Sequence, residues 1–221
     1  MRNTFRWMAT GAAAVVLAVA VASPAQAAPV LRARWNMDQV PAMVDSSTDG
    51  VDNSGTTSRI TMSNGFYAFN GTTSIATVPH KTNLNPGTAT TKVEVRLNTA
   101  TPPARNETYD IVRKGTSTTA GGYYKIEFKG TSSGMNAACI FKDKNRVVGQ
   151  AIAPIPSKTW LTITCTKTIS AVTLAVNGTT KKTTGTSVGT ISNTAPVHIG
   201  GKGDGTDVFS GLMDFASISI G

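Results

Sequence analysis

Apolar and polar residues alternate over short runs along most of the chain. In residues 172–176 (VTLAV) every second residue is a large aliphatic one, and Asn177-Gly178 follows directly. A period of two places alternate side chains on opposite faces of a strand, and an Asn-Gly pair suits a tight hairpin turn. Asn70-Gly71 repeats this arrangement between two further runs. The pattern therefore predicts β-strands joined by hairpins.

Nine runs of this kind are spread over residues 66–220, whereas helical periodicity is nearly absent. They predict strands at 66–70, 74–78, 92–97, 122–128, 136–141, 160–168, 172–177, 196–200 and 212–220. Trp35 and Trp160 each begin an apolar run and are expected in the core. Only residues 99–108 read as a long irregular loop, and no linker or fixed-period repeat divides the chain. We predict one all-β domain with two antiparallel sheets in a sandwich.

The first 27 residues have the pattern of an export signal. Arg2 and Arg6 precede an apolar run at 11–22, and Ala25-Gln26-Ala27 matches the site that signal peptidase cuts. The run is too short to span a bilayer, which needs about 20 residues. We predict a signal peptide at 1–27, with an uncleaved anchor as the alternative. The domain at 28–221 is then secreted and does not insert into a membrane.

Basic residues outnumber acidic ones, and the formal net charge is +9. They are scattered, with Lys181-Lys182 and residues 142–146 as the densest positions. No interleaving of aromatic and basic residues suggests a track for single-stranded nucleic acid, so no nucleic-acid partner is predicted. The positive charge indicates either a solvated surface or attraction to an anionic polysaccharide or cell-wall polymer.

Cys139 and Cys165 are the two cysteines of the chain. Each lies in an alternating apolar run, as two neighbouring strands facing one core would show. An even cysteine count in an exported protein favours a disulfide. A metal pair or a catalytic thiol would need a nearby histidine, and the chain has only His80 and His198. His198 alternates with two aliphatic residues and is expected to be a hydrogen-bonded sheet residue.

Residues 196–220 (PVHIGGKGDGTDVFSGLMDFASISI) carry the clearest family pattern. An "IGG" strand, a variable loop and a final "F-x-G-x-[IM]-D" strand occur there in order. The segments ARWNMD (33–38), DNSG (52–55), YAFNGTTSIATVPH (67–80), DIVRKG (110–115) and GGYYKIEF (121–128) precede them. Together with TWLTITCTKT and VTLAVNG, this order resembles a laminin-G-like domain of the concanavalin A-like lectin/glucanase superfamily. The resemblance covers nearly all of residues 31–221.

This resemblance implies a jelly-roll sandwich with one concave sheet, and one structural Ca²⁺ on the other side. The positions that correspond to calcium ligands are Asp38, the backbone carbonyl of Gly71, and Asp214. Carboxylate and carbonyl oxygens suit Ca²⁺. The alternative is that Asp214 caps backbone groups at a strand start and that Asp38 is merely exposed.

Glucanases of the superfamily carry a Glu-x-Asp-x-Glu strand, which supplies the two carboxylates of retaining hydrolysis. The three glutamates here are Glu94, Glu107 and Glu127, and none has a carboxylate two residues away. We therefore expect no enzymatic activity, and a glycoside hydrolase is the disfavoured alternative.

A non-catalytic lectin-like domain is the favoured prediction, with a polysaccharide or glycoconjugate as its partner. A sugar site needs aromatic faces and polar groups placed around them. The candidate ligand-binding residues are Tyr109, Arg113, Tyr123, Asp204 and Asp207. Adjacent Tyr123 and Tyr124 must point to opposite faces of a strand. A structural or protein-adhesion module without sugar affinity remains the alternative, and the sequence predicts neither the sugar nor the oligomeric state.

Overall fold

The computed structural model describes residues 28–221, and the predicted signal peptide at 1–27 lies outside the described residues. Within them, sixteen strands form two eight-stranded antiparallel sheets. Their one helical segment is a 3₁₀ turn at Thr82–Leu84, and no helix there is long and apolar enough to cross a membrane. The predicted all-β sandwich is confirmed.

Sheet A has the order β14-β13-β12-β7-β16-β5-β4, with β1 also paired to β16. Its strands are β1 (Val30–Trp35), β4 (Thr61–Ser63), β5 (Phe66–Asn70), β7 (Thr91–Thr99), β12 (Trp160–Lys167), β13 (Ala171–Val176), β14 (Thr179–Gly185) and β16 (Ser210–Ile220).

Sheet B has the order β11-β10-β9-β8-β15-β6-β3-β2. Its strands are β2 (Ala42–Met43), β3 (Gly55–Ser58), β6 (Ile75–Val78), β8 (Thr108–Lys114), β9 (Tyr123–Thr131), β10 (Gly134–Lys142), β11 (Val148–Ile155) and β15 (Val197–Ile199).

The core lies between the two sheets and is built from alternate residues of their strands. On β12, Leu161, Ile163 and Cys165 are buried while the threonines between them are half-buried on the outer face. β-branched polar residues suit such an outward face. Fully burying each large aliphatic side chain contributes roughly 1.5–3 kcal/mol, so this alternation fixes which face of each sheet packs inward.

The predicted disulfide between Cys139 and Cys165 is present. Cys139 lies on β10 of sheet B and Cys165 on β12 of sheet A, and both are fully buried. The two strands therefore face each other from opposite sheets and are not neighbours within one sheet. The bond ties the sheets together across the core.

The two Asn-Gly turns differ. Asn177 and Gly178 have φ values of 49° and 75° and join β13 to β14 as the predicted hairpin. Asn70-Gly71 instead lies between β5 in sheet A and β6 in sheet B, so the predicted second hairpin is wrong. The Asn70 side-chain oxygen accepts the backbone N–H groups of Thr72, Thr73 and Ser74. This side chain stabilises a corner between the sheets.

Trp35 is a core residue, as expected, and its indole N–H donates to the Asn53 carbonyl at 2.9 Å. Trp160 is not in the core, because the next residue, Leu161, takes the inward position of β12. Its ring lies half-buried on the outer face of sheet A, 4.7 Å from the Phe66 ring and under the Arg96 guanidinium.

Candidate functional site

The outer face of sheet B carries a row of polar side chains across four neighbouring strands. Thr77 on β6 pairs in register with His198 on β15, which pairs with Arg113 on β8, which pairs with Lys125 on β9. Apart from the buried Lys114, the residues next to them in sequence are buried aliphatics or aromatics of the core. Strand alternation thus directs this row away from the core.

A charged network lies beside this row. Asp110 on β8 is in register with Glu127 on β9. Arg113 Nη1 donates to Asp110, and Lys125 Nζ lies 3.2 Å from Asp110 Oδ1 and also donates to Glu127. The Asp110 side chain is 0% exposed, and the other three are at most 15% exposed.

Burial sets the electrostatics of the network. It raises the pKa of the Asp110 carboxyl, although Lys125 and Arg113 oppose the shift. Burial alone would lower the pKa of Lys125, but the carboxylates of Asp110 and Glu127 together raise it. The network is therefore a structural support beneath the face, because Asp110 has no exposed surface with which to touch a ligand.

Sequence reasoning missed Asp110, Lys125 and Glu127. The two carboxylates come together through the register of β8 and β9, whereas only carboxylates two residues apart on one strand were considered. Lys125 and Glu127 alternate on one strand, which is a signal of a shared face. No local signal points to Asp110, because its partner depends on strand pairing.

The glycine-rich segment after β15 folds over this face. A side chain at Gly203 would place its Cβ 2.5 Å from His198 Nε2, so the backbone lies directly on the imidazole ring. Lys202 pairs with Asp207 at 2.5 Å, and the Asp207 carbonyl accepts the Asp110 N–H at 2.9 Å. Residues 200–209 are thus a cover whose backbone is joined to β8.

An open cavity of about 200 Å³ remains at the edge of this cover, and we name it the sheet cavity. Its polar lining includes Arg113, His198 and Asp204, together with Lys202, Thr116 and Thr119. Ala195, Pro196 and the backbone of Gly115 form an apolar part of its wall. Such a cavity has the mixed lining of a small-ligand site.

Hydrogen bonds within the protein fix the His198 and Arg113 side chains of the sheet cavity. His198 Nδ1 is 3.2 Å from the Thr77 hydroxyl, and Arg113 Nε donates to the Gly115 carbonyl at 3.0 Å. Burial and the Arg113 charge lower the pKa of His198, with Asp204 opposing, so the imidazole is neutral at pH 7. Arg113 Nη2 makes no hydrogen bond within residues 28–221, which leaves it available to a ligand.

The five candidate ligand residues separate into two places. Arg113 and Asp204 line the sheet cavity, and Tyr123 lies on the same face of sheet B. Tyr109 and Asp207 instead line a different cavity of about 420 Å³ near Gly71. Tyr109 packs against the core, with its ring edge on Phe209 at 6.0 Å.

Tyr123 and Tyr124 point to opposite faces, as expected. Tyr124 is fully buried and its hydroxyl donates to the Leu84 carbonyl at 3.1 Å. Tyr123 lies on the outer face, where the Lys142 ammonium is 5.9 Å from its ring centroid. Tyr123 is only 9% exposed and is not among the residues that line the sheet cavity, so its ring is not an open stacking surface there.

The three residues expected to hold Ca²⁺ do not converge. Asp214 pairs with Arg96 at 2.5 Å, and a guanidinium beside the carboxylate disfavours a second cation there. Gly71 packs beside Ser210, the first residue of β16. Four residues along that strand, Asp214 is about 13 Å from Ser210. Asp38 is exposed in the loop after β1. In residues 28–221 no three His, Cys, Asp or Glu side chains are grouped as metal ligands, and the calcium site stays a prediction.

Comparison with protein families gives one match. The Laminin_G_3 model, described as the concanavalin A-like lectin/glucanases superfamily, matches residues 70–219. No curated protein matches the chain in sequence.

Solved structures with the same fold include two kinds of binding domain. The receptor binding domain of botulinum neurotoxin mosaic serotype C/D has a TM-score of 0.66 at 15% identity, covering 86% of this chain and 47% of that one. The binding domain of botulinum neurotoxin DC, solved in complex with SialylT, has a TM-score of 0.60 at 9% identity over 86% and 47%. The chain thus spans about half the length of these neurotoxin domains.

Domain 4 of AbnA, an extracellular arabinanase from Geobacillus stearothermophilus, was solved in complex with arabinotriose. Its TM-score is 0.60 at 17% identity, and the match covers 87% of this chain and 93% of that one. At these identities the likeness establishes the fold alone.

Proposed function

Because the chain belongs to the concanavalin A-like lectin/glucanase superfamily, we propose that it is a secreted, non-catalytic carbohydrate-binding domain. Its sugar site is the sheet cavity, and its partner is a polysaccharide or glycoconjugate. The observation that carries this proposal is the convergence of Arg113, His198 and Asp204 on one small cavity with an apolar wall.

The chemistry of the cavity suits a sugar. A guanidinium donates, a carboxylate accepts, and the His198 nitrogen that Thr77 does not engage, Nε2, donates or accepts according to the tautomer, so together they match vicinal hydroxyls. Ala195 and Pro196 offer an apolar surface to the C–H side of a ring. The fixed positions of Arg113 and His198 reduce the ordering cost of binding.

Related structures support the class of ligand. Domains of this fold bind arabinotriose in one neighbour and carry SialylT in another. Fold does not by itself transfer function, so the proposal depends on the cavity as well as on the neighbours.

The state of the carboxylates supports a non-catalytic role. Asp110 is buried and held by two cations, and Glu127 is paired with Lys125. Neither is free to act as the nucleophile or the acid that glycoside hydrolysis needs. The disulfide supports an extracellular location, because such bonds persist in oxidising compartments.

A glycan array tests the proposal, followed by titration of the best neutral oligosaccharide. Replacing Asp204→Ala should weaken that binding about tenfold, through loss of one charge-assisted hydrogen bond. Asp52→Ala is the matched control, because both aspartates are exposed and both accept the N–H of the residue two positions later. Equal binding by the two variants would contradict the proposed site. An array without hits from folded protein would favour the protein-adhesion alternative.

A further inference from the structure

We propose that a second cavity, beside the sheet cavity, binds the anionic group of an acidic glycan. This inference rests on the proposed function, since it names the class of sugar that the same surface takes. The cavity has a volume of about 580 Å³ and lies between residues 117–122, which join β8 to β9, and residues 142–146, which join β10 to β11. We name it the basic cavity.

Three cations line the basic cavity. Lys142, Lys144 and Arg146 are every second residue around the β10–β11 turn, and Lys144 and Arg146 are exposed. None of the three forms a salt bridge within residues 28–221. Three unpaired cations around one cavity create a positive potential that an anionic ligand would neutralise.

The one acidic residue of the lining offsets only part of this charge. Asp143 is buried, and its Oδ1 accepts the backbone N–H groups of Asn145 and Val147. Its Oδ2 accepts the N–H of Gly189 at 3.0 Å. The carboxylate is therefore satisfied by the backbone of the turn, which it holds in shape.

The opposite wall is held rigidly. Gly121 lies so close to the neighbouring backbone that a Cβ there would be 1.8 Å from the Ser192 carbonyl oxygen. Ser192 N–H donates to the Gly121 carbonyl, and Lys142 Nζ donates to the Ser117 carbonyl at 2.8 Å. This wall and the Lys142 ammonium are thus preorganised to receive a ligand.

The position of the basic cavity connects it to the proposed sugar site. Thr119 lines both cavities, so one oligosaccharide that passes this residue reaches both. The sheet cavity offers partners for hydroxyls, whereas the basic cavity offers charge to a carboxylate or a sulfate. A glycan whose units carry such groups fits both together.

The experiment compares glycans that differ only in charge. Polygalacturonate is measured against its methyl ester, and dextran sulfate against dextran, by titration calorimetry with the protein. The variant Lys144→Ala/Arg146→Ala removes two cations from the basic cavity but keeps Lys142, which braces the wall. The matched control Lys181→Ala/Lys182→Ala removes two exposed cations from β14 of sheet A.

We expect the protein to bind at least one charged glycan about tenfold or more tightly than its neutral counterpart. The cavity variant should lose that preference while it retains binding of the neutral form, and the control should keep the preference. A difference between polygalacturonate and its methyl ester would indicate a carboxylate ligand, and a difference between dextran sulfate and dextran would indicate a sulfate.

Three results would overturn the inference. An equal loss in both double variants would assign the preference to general surface charge. Equal binding of charged and neutral glycans by the protein would contradict the basic cavity and leave the proposed function intact. No binding of any glycan would contradict the proposed function as well.

Discussion

The side chain of Lys114 is fully buried at the end of β8, and within residues 28–221 it forms no salt bridge. Its ammonium donates to the Ala195 carbonyl at 2.5 Å and lies 3.3 Å from both side-chain and backbone oxygens of Asn193. Lys114 therefore holds residues 193–195, which lead into the wall of the sheet cavity. Burial lowers its pKa to about 8.

This buried amine makes stability depend on pH. An unfolded lysine titrates near 10.4, so between about pH 8 and 10.4 the unfolded chain binds more protons than the folded one. The free energy of unfolding should then gain about 1–3 kcal/mol from this group as the pH rises through that range. Urea unfolding at pH 7.5 and 9.5 should show a larger rise in the protein than in Lys114→Met. Equal changes would contradict the assignment, because all other titrating groups are common to both.

Asp110 and Asp214 allow a comparison of two aspartate–arginine pairs. Asp110 is fully buried with Arg113, whereas Asp214 and Arg96 are both partly exposed on sheet A. Breaking a buried pair costs about 3–5 kcal/mol, and breaking an exposed one costs about 0–1 kcal/mol. Asp110→Asn should therefore lower the midpoint of urea unfolding clearly, and Asp214→Asn only slightly. A small effect of both would show that the network does not support the face.

Residues of the candidate site differ in how well the sequence predicts them. Arg113 and Asp204 were predicted because charged residues beside tyrosines or in a glycine-rich loop are recognisable locally. His198 was expected to be a hydrogen-bonded sheet residue, and it is one, but it also lines the sheet cavity. That second role arises because residues 200–209 fold over the imidazole ring. No pattern of residue spacing in the sequence predicts this fold.

The strands that the alternation predicted have one buried and one outward face, although β11 has the same pattern and was not predicted. β5, β6, β7, β9, β10, β12, β13, β15 and β16 lie within a few residues of the predicted bounds. β14 was missed because its residues are almost all exposed, so no alternation marks it. β8 was missed because its outward residues are charged and a bulge between Asp110 and Val112 interrupts the period.

A disulfide between β10 and β12 cross-links the two sheets. The bond between Cys139 and Cys165 closes a loop with a sequence separation of 26. In the chain-entropy model, removing such a bond costs roughly 3–4 kcal/mol. Cys139→Ala/Cys165→Ala should lower the free energy of unfolding by at least that amount, since two buried sulfurs are also lost. Unfolding by urea at neutral pH measures it, and a loss below about 1 kcal/mol would contradict the crosslinking role.

At the scale of the whole molecule, the sandwich gives its two outer faces different roles. Sheet A presents threonines and a half-buried Trp160 covered by Arg96. Sheet B presents the polar row, the supporting charge network and the two cavities that meet at Thr119. Because β8 and β9 carry the network and β15 leads into the cover, one part of the fold supplies the whole proposed site.

The most direct test of the account is a map of glycan binding on the isotopically labelled protein by NMR. We expect the strongest neutral glycan of the array to shift the signals of Arg113, Thr119, His198 and residues 202–206. Signals of the outer face of sheet A, such as Thr162 and Thr164, should stay unchanged. Shifts confined to sheet A, or to the cavity beside Gly71, would contradict a sugar site on sheet B.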